Sequence, residues 1–252
     1  MKKWIFLSAH FDDVVLSIGG LVWELTQSGN HVEIWTICAG DPPMDHSLTD
    51  YAQLLHGFWD IGENVPQKRS IEDSECCRIL GVAIYRRYTV PDNIYRYLPG
   101  TNIPIIKENM DQFKPLEPEE SYLIPQVSDF IRKNLPNDSE LVAPLAIGAH
   151  RDHILTRLAS ERLQLPIWHY ADLPYLIYGD YKLADWLPEN AESFAIPISA
   201  DGLKAWQNGF ACQRSQIPLV FSDEDDMRSA LEKYWKSGFG NTLWRFYYSN
   251  IS

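Results

Sequence analysis

The chain opens on an apolar run, Trp4-Ile5-Phe6-Leu7, and passes within a few residues into apolar positions spaced for one face of a helix, Val15, Ile18, Val22 and Leu25. The first pattern predicts a buried strand and the second an amphipathic helix of about 18 residues. Ser28-Gly29-Asn30 supplies its stop. His31 to Cys38 follows with partial alternation, which predicts a second strand. Strand, helix and strand in succession make a right-handed βαβ unit, whose ligands gather at the carboxyl ends of the strands. Asp41, in the loop Ala39-Gly40-Asp41-Pro42-Pro43, leaves the second strand near that edge, where it either faces a site or makes a turn.

The pattern then loosens. Residues 44–68, rich in aromatic and polar groups, predict a lid or insertion with a short helix around Tyr51 to Trp59. A helix from Ser70 to Leu80 stops at Gly81, Ala83 to Tyr88 predicts a strand, and Pro91-Asp92-Asn93 a turn. Prolines mark irregular chain through residue 120, after which Ser121 to Leu135 predicts a helix and Leu141 to Ile147 a strand, with Pro144 awkward for a central position. Ile154 to Leu165 predicts a helix, Ile167 to Ala171 and Ser193 to Ile198 strands, and Gly202 to Ser215 and Asp225 to Ser237 two last helices. The expected fold is α/β, a Rossmann-like three-layer sandwich with a mostly parallel sheet, in one domain over residues 1–252 whose C-terminal helices pack on the core.

Charge and composition narrow the partners. Lys and Arg number 22 against 34 Asp and Glu, a net charge of −12, which disfavours a surface that tracks nucleic-acid phosphates. Cys38, Cys76, Cys77 and Cys212 have neither zinc-ribbon spacing nor the density of a disulfide scaffold, and read as buried thiols in a reducing cytoplasm. No apolar run approaches the ~20 residues of a membrane span. A soluble, cytoplasmic protein with no nucleic-acid partner and no transmembrane segment is expected, with homo-oligomerisation left open.

Chemistry concentrates where strands give way to helices. Ser8-Ala9-His10-Phe11-Asp12-Asp13 ends the first strand, and Gly148-Ala149-His150-Arg151-Asp152-His153 ends a later one. Singly, each Asp reads as a helix cap worth ~1 kcal/mol and each His as a hydrogen-bonded structural residue. Together they fall on the carboxyl edge of one parallel sheet, where residues ~140 apart can converge. His10 and Asp13 lie three apart, as do His150 and His153, so each pair can turn toward one point. A catalytic zinc takes three nitrogen or oxygen ligands and keeps one position for water, whose pKa falls toward ~7. A spare carboxylate then takes the proton and a spare histidine acts on the opposite side, roles for which Asp12 and His150 are the natural choices.

These residues resemble the N-acetylglucosaminylphosphatidylinositol deacetylase-like (PIG-L, or LmbE-like) family of zinc-dependent deacetylases, whose signature is Ala-His-Pro-Asp-Asp near the N-terminus with His-Pro-Asp-His much later. The chain carries Ala9-His10-Phe11-Asp12-Asp13 and His150-Arg151-Asp152-His153. The resemblance implies that His10, Asp13 and His153 bind Zn²⁺ or another divalent metal, that Asp12 is the general base, and that His150 assists as acid or electrophile. Arg69-Ser70-Ile71-Glu72 running to Leu80-Gly81-Val82 looks like the family's Arg-x-x-Glu helix, and Pro91-Asp92-Asn93 like its substrate-side turn, so that Arg69 and Asp92 are implied to bind substrate. Lys204, Ala211 and Gln216 resemble late positions of the family, and the matches span residues 4–216. Phe11 and Arg151 stand where the family has prolines, Val14 where many members have Glu, and Gly148 where some carry a tyrosine. Any tyrosine polarising the substrate carbonyl must come from elsewhere.

The expected activity is hydrolysis of an N-acetyl group from a GlcNAc-type amino sugar on a small conjugate or glycosylated natural product. Two other readings stand beside it: a metal-dependent amidase that cleaves a larger acyl group from an amino-sugar conjugate, and a non-catalytic binding protein whose motifs are helix caps. Gly19-Gly20 lies mid-helix and no Gly-x-Ser-x-Gly elbow occurs, so neither a dinucleotide fingerprint nor a serine nucleophile is supported. His31, His46, His56 and His169 have no partner at ligand spacing and read as structural. The Tyr and Trp residues read mainly as core, and a few rings in the pocket would suit a sugar face.

Overall fold

The computed structural model describes residues 1–60 and 62–246. Seven strands form one sheet in the order β3-β2-β1-β4-β5-β7-β6. Five are mutually parallel: β1 (Lys3–Ser8), β2 (His31–Thr36), β3 (Ile84–Arg87), β4 (Ser139–Pro144) and β5 (Ile167–Tyr170). β6 (Glu192–Ala195) and β7 (Thr242–Arg245) close one side antiparallel. The sequence pattern missed β7, a strand of only four residues.

Alternation along the strands sends side chains to two cores. Trp4, Phe6, Val32 and Ile34 face one layer, made by α1 (Asp13–Gln27), α3 (Val65–Leu80), α7 (Ala200–Phe210) and α9 (Glu224–Ser237). Ile5, Leu7, Trp35 and Leu141 face the other, made by α4 (Leu123–Asn134) and α5 (Arg151–Glu161). The expected three layers are therefore present. Gly19 explains itself here: a Cβ on it would come 2.5 Å from the Trp206 ring, whose indole N–H donates to the Val15 carbonyl at 2.6 Å beside a kink at Ile18. The glycines serve helix packing, and α7 docks across α1 through them.

Several boundaries differ from the sequence expectation. α3 begins five residues early, its start set by Pro66 in the first turn, and it ends on Gly81 at φ 72°. α5 begins three residues early, which places Asp152 and His153 in its first turn. β4 lies centrally after all, because Pro144 falls on its last paired residue, where the missing N–H is least disruptive. The insertion between β2 and α3 carries the expected short helix, α2 (Asp50–Trp59). Two further short helices, α6 (Tyr175–Tyr178) and α8 (Ile217–Val220), lie on the rim above the strand ends.

The order reverses between β1 and β4. β1 leads to β2 on one side, while β4 leads to β5 on the other, and a crevice opens where the two crossovers diverge. β1 and β4 are neighbours in register, Phe6 opposite Val142, so the segments leaving their carboxyl ends meet despite lying far apart in sequence. Those segments are 8–13 and 145–153.

Candidate active site

His10, Asp12, Asp13, His150 and His153 line one cavity of about 330 Å³ at this crevice. Asp12 precedes the first residue of α1 but makes no side-chain cap, and its Oδ1 accepts instead from Arg69 Nη2 at 3.2 Å. Asp13 folds back on its own turn: Oδ2 accepts the His10 backbone N–H at 2.6 Å, while Oδ1 lies 3.2 Å from His153 Nε2. Asp13 thus bridges the two motifs. His10 Nδ1 lies 3.4 Å from Asp13 Oδ2 and completes the group on that side.

The far nitrogen of each imidazole is also held. His10 Nε2 meets Asp152 Oδ2 at 3.1 Å, and His153 Nδ1 meets Asp172 Oδ1 at 2.7 Å. A carboxylate behind each ring fixes its plane and leaves His10 Nδ1 and His153 Nε2 facing Asp13. Ring nitrogens of His10, His150 and His153 also lie within 4.8 Å of one another. Imidazole nitrogens and a carboxylate oxygen, backed by further carboxylates, suit zinc or a similar divalent ion. A second cluster, His10 with Asp92 and Asp152, is less suited, since Asp152 Oδ1 is already taken by Arg96 Nη2 at 2.6 Å.

Electrostatics point the same way. Burial works against the charged form of His153, yet Asp13 and Asp172 lift its pKa to about 10. Burial likewise opposes charge on His10, and Asp92, Asp13 and Asp152 nonetheless hold its pKa well above the usual imidazole value. Asp13 lies well below the carboxylate range, because His153 and His10 outweigh its desolvation. The carboxylates thus hold protons on the imidazoles at positions a dication would take over. Burial and the neighbouring Asp13 charge push Asp12 upward, toward a better base.

His150 is set apart. It is the cap of α5, and its Nδ1 accepts the Asp152 N–H at 3.3 Å, which leaves the ring proton on Nε2. That nitrogen lies 3.3 Å from Gln112 Oε1 and 3.4 Å from the Asn93 side-chain amide. Burial, with His10 and His153 nearby, keeps its pKa well below the usual imidazole value, so His150 is a neutral Nε2–H donor.

Arg69 is deeply placed rather than poised at the surface. Its guanidinium lies between the Trp59 and Phe11 rings, 4.8 and 5.6 Å from their centroids, and 3.7 Å from Asp92 Oδ2. Phe11, in the position of the family proline, is therefore a platform for the arginine that holds Asp12. Asp92 caps its own turn through the Ile94 N–H at 3.3 Å and faces the cavity beside His10. Asp41 is exposed and is not part of the cavity wall. Of the late motif residues, Gln216 lines the cavity, and its neighbour Ser215 is bound to Glu72 through both N–H and Oγ. Lys204 is exposed.

Sequence reading passed over several contributors. Asp172 lies two residues beyond β5, at the same carboxyl edge, and that position was its only signal. Asp152 is joined through Arg96 to Glu120, and Glu120 to Arg151 at 2.7 Å, a buried run of alternating charge. Arg151, the second departure from proline, thus anchors the long crossover between β3 and α4 at the site. Gly148 adopts φ 87°, and a Cβ there would come 2.4 Å from the Tyr175 ring. Tyr175 occupies that space and lines the cavity, its ring edge-on to His153.

The chain is similar to deacetylases throughout its length. It is 29% identical to a 2'-N-acetylparomamine deacetylase of Niallia circulans, over 98% of this chain and 95% of that protein. Its fold superposes on the zinc-inhibited form of a teicoplanin deacetylase with a TM-score of 0.84 at 24% identity, each chain covered fully. An N,N'-diacetylchitobiose deacetylase from Pyrococcus horikoshii superposes with a TM-score of 0.55 at 16% identity, over 97% of this chain and 84% of that one. The family described as GlcNAc-PI de-N-acetylase, PIG-L, matches residues 5–163, which include both His/Asp motifs. The chain belongs to the PIG-L family and is an N-deacetylase.

Proposed function

We propose that the protein removes the acetyl group from an N-acetylglucosamine-type sugar on a small conjugate or glycosylated natural product, with zinc held by His10, Asp13 and His153. The observation that carries this reading is the pairing at the crevice: Asp152 behind His10 and Asp172 behind His153, with Asp13 between the two rings and Asp12 bonded away from them. Zinc, when bound there, would supply Lewis acidity toward water and the acetyl oxygen. Asp12, raised by burial, takes the proton of the attacking water while Arg69 fixes its carboxylate. His150, a neutral donor through Nε2, shares that N–H between Gln112 Oε1 and the developing oxyanion, and the proton collected by Asp12 is returned to the leaving amine. Tyr175, packed into the space of the missing Gly148 side chain, supplies the phenol that the late motif lacks.

A pure binding protein would use its motif aspartates as helix caps. The Asp12 side chain makes no such cap, and Asp13 and Asp152 are spent on histidines. The relatives named above are deacetylases, so the same support does not extend to cleavage of a larger acyl group. No helix among the described residues is long and apolar enough to cross a membrane, and the four cysteines are free, as suits a cytoplasmic enzyme. The acidic surface fits a small-molecule partner and no nucleic acid.

Acetate release from a panel of N-acetylated amino sugars, 2'-N-acetylparomamine included, tests the reading together with metal analysis. The wild-type protein should bind one divalent ion and release acetate. Asp12→Asn should keep the ion and lose a factor of about 10²–10⁴ in kcat. A metal-loaded protein that releases no acetate from any of these compounds, or an Asp12→Asn variant of full activity, would sink it.

A further inference from the structure

Besides Arg69 and Asp92, the cavity is lined by a cluster of neutral polar groups that the chemistry above does not use. Tyr51 comes from α2 and Asn109 and Gln112 from the crossover between β3 and α4, and all three line the cavity. The Tyr51 hydroxyl donates to Asn109 Oδ1 at 3.1 Å and accepts from Gln112 Nε2 at 2.9 Å. Gln112 Nε2 also donates to Asn109 Oδ1 at 3.0 Å. Gln112 Oε1, at the other end, faces His150 Nε2 at 3.3 Å.

The cluster keeps donors and an acceptor to spare. Both Gln112 N–H groups are used, and Asn109 Oδ1 takes two donors. The Asn109 amide nitrogen makes no hydrogen bond to a described residue, and the Tyr51 oxygen keeps one lone pair. A pair of N–H donors beside one acceptor matches an alcohol, which both donates and accepts. The aromatic surface of Phe113, which lines the same cavity, suits the apolar face of a pyranose. The cluster carries no formal charge, so it selects for hydroxyl rather than phosphate or ammonium.

We infer that Tyr51, Asn109 and Gln112 form a hydroxyl-recognition subsite for the ring that bears the acetamide, and that Gln112 joins this subsite to His150 as a positioning residue. The inference rests on the reading of the cavity as an amino-sugar site. It assigns to α2 and to the crossover between β3 and α4 a shared task that neither performs alone. Gln112 is the link: its amide end is fixed by Tyr51 and Asn109, and its carbonyl end holds the imidazole plane.

Binding and turnover separate the possible failures. Affinities of methyl 2-acetamido-2-deoxy-β-glucoside and its 3-, 4- and 6-deoxy analogues would be measured by titration NMR on zinc-loaded protein carrying Asp12→Asn, with and without Asn109→Ala or Tyr51→Phe. One deoxy analogue should bind about tenfold more weakly than the parent, the worth of one well-made hydrogen bond, and that difference should vanish in the Asn109→Ala background. In otherwise wild-type protein, Asn109→Ala should raise KM with kcat little changed. Gln112→Ala should lower kcat as well, and Gln112→Glu, which keeps the acceptor, should recover part of it. Equal losses for every analogue in both backgrounds, or no binding of any glycoside, overturn the subsite. Binding with the expected coupling but no acetate release overturns the deacetylase reading and leaves the subsite standing.

Discussion

Asp172 Oδ1 lies 2.7 Å from His153 Nδ1, and its other oxygen accepts the Ile147 N–H at 3.0 Å. One buried carboxylate therefore ties the segment after β5 to the loop after β4 and sets which histidine nitrogen faces the site. Asp172→Ala should weaken zinc binding about 10–100-fold, as loss of a carboxylate behind a ligating histidine does. Asp172→Asn, which keeps an acceptor, should lose less. Competition with a chromophoric chelator reads both, and unchanged affinity in Asp172→Ala would remove His153 from the ligand set.

Metal uptake should expel protons. His153, lifted to about 10 by Asp13 and Asp172, is protonated at neutral pH without metal and must be neutral to ligate, and His10 is shifted in the same direction. Their raised values mean that affinity climbs as pH rises toward and through that range, and falls in acid. Calorimetric titration of zinc in two buffers of different ionisation heat, at pH 7, should show proton release, with the His153 proton as its minimum. A heat independent of buffer would contradict the protonated imidazoles.

The buried run Asp152, Arg96, Glu120, Arg151 should behave as a unit. Arg151→Met leaves Glu120 with Arg96 alone and should cost less than the about 3–5 kcal/mol of a buried charge left with no partner. Replacing Glu120 and Arg151 together by Met leaves Arg96 paired with Asp152, and should cost less than Arg151→Met plus Glu120→Met summed. Urea midpoints of the three variants test the coupling, which strict additivity would refute.

Asp73 should make stability fall with pH. Its side chain is buried beside Cys77, with Oδ2 unpartnered, and burial pushes its pKa up to about 7. Between the unfolded carboxylate value of about 4 and the folded value, the folded protein holds a proton the unfolded chain has released. Folding is therefore favoured most below pH 4 and progressively less up to pH 7, with no further change above. Asp73→Asn should remove this slope, gaining on the wild type by up to about 1.4 kcal/mol per pH unit across that window. Denaturation midpoints at pH 4, 5.5 and 8 give the comparison, and a constant difference between the two proteins would exclude it.

What the sequence determined by itself was local and periodic. The apolar runs of β1, β2 and β5, the stop at Gly81 and the helical spacing of α1, α4 and α9 were legible because a strand or helix repeats its pattern within a few residues. Both His/Asp motifs were legible for a related reason, since each falls at a strand end where topology sends ligands, and the family resemblance supplied roles. The short β7 and the early start of α5 escaped, because four residues carry little periodicity and a helix start is fixed by its cap, here a histidine.

Only the tertiary structure decided how the motifs are supported. The Arg96 partner of Asp152, the Glu120 partner of Arg151, the carboxylate behind His153, and the phenol in the space left by Gly148 are contacts between residues 19 to 56 apart, with no repeat to reveal them. The family resemblance implies Arg69 as a substrate contact; folding puts it on the cavity wall and adds the Trp59 and Phe11 rings and the Asp12 and Asp92 carboxylates as its partners. The reason is burial. A guanidinium or carboxylate removed from water must find a partner in three dimensions, and which partner it finds depends on strand order rather than on its neighbours in the chain.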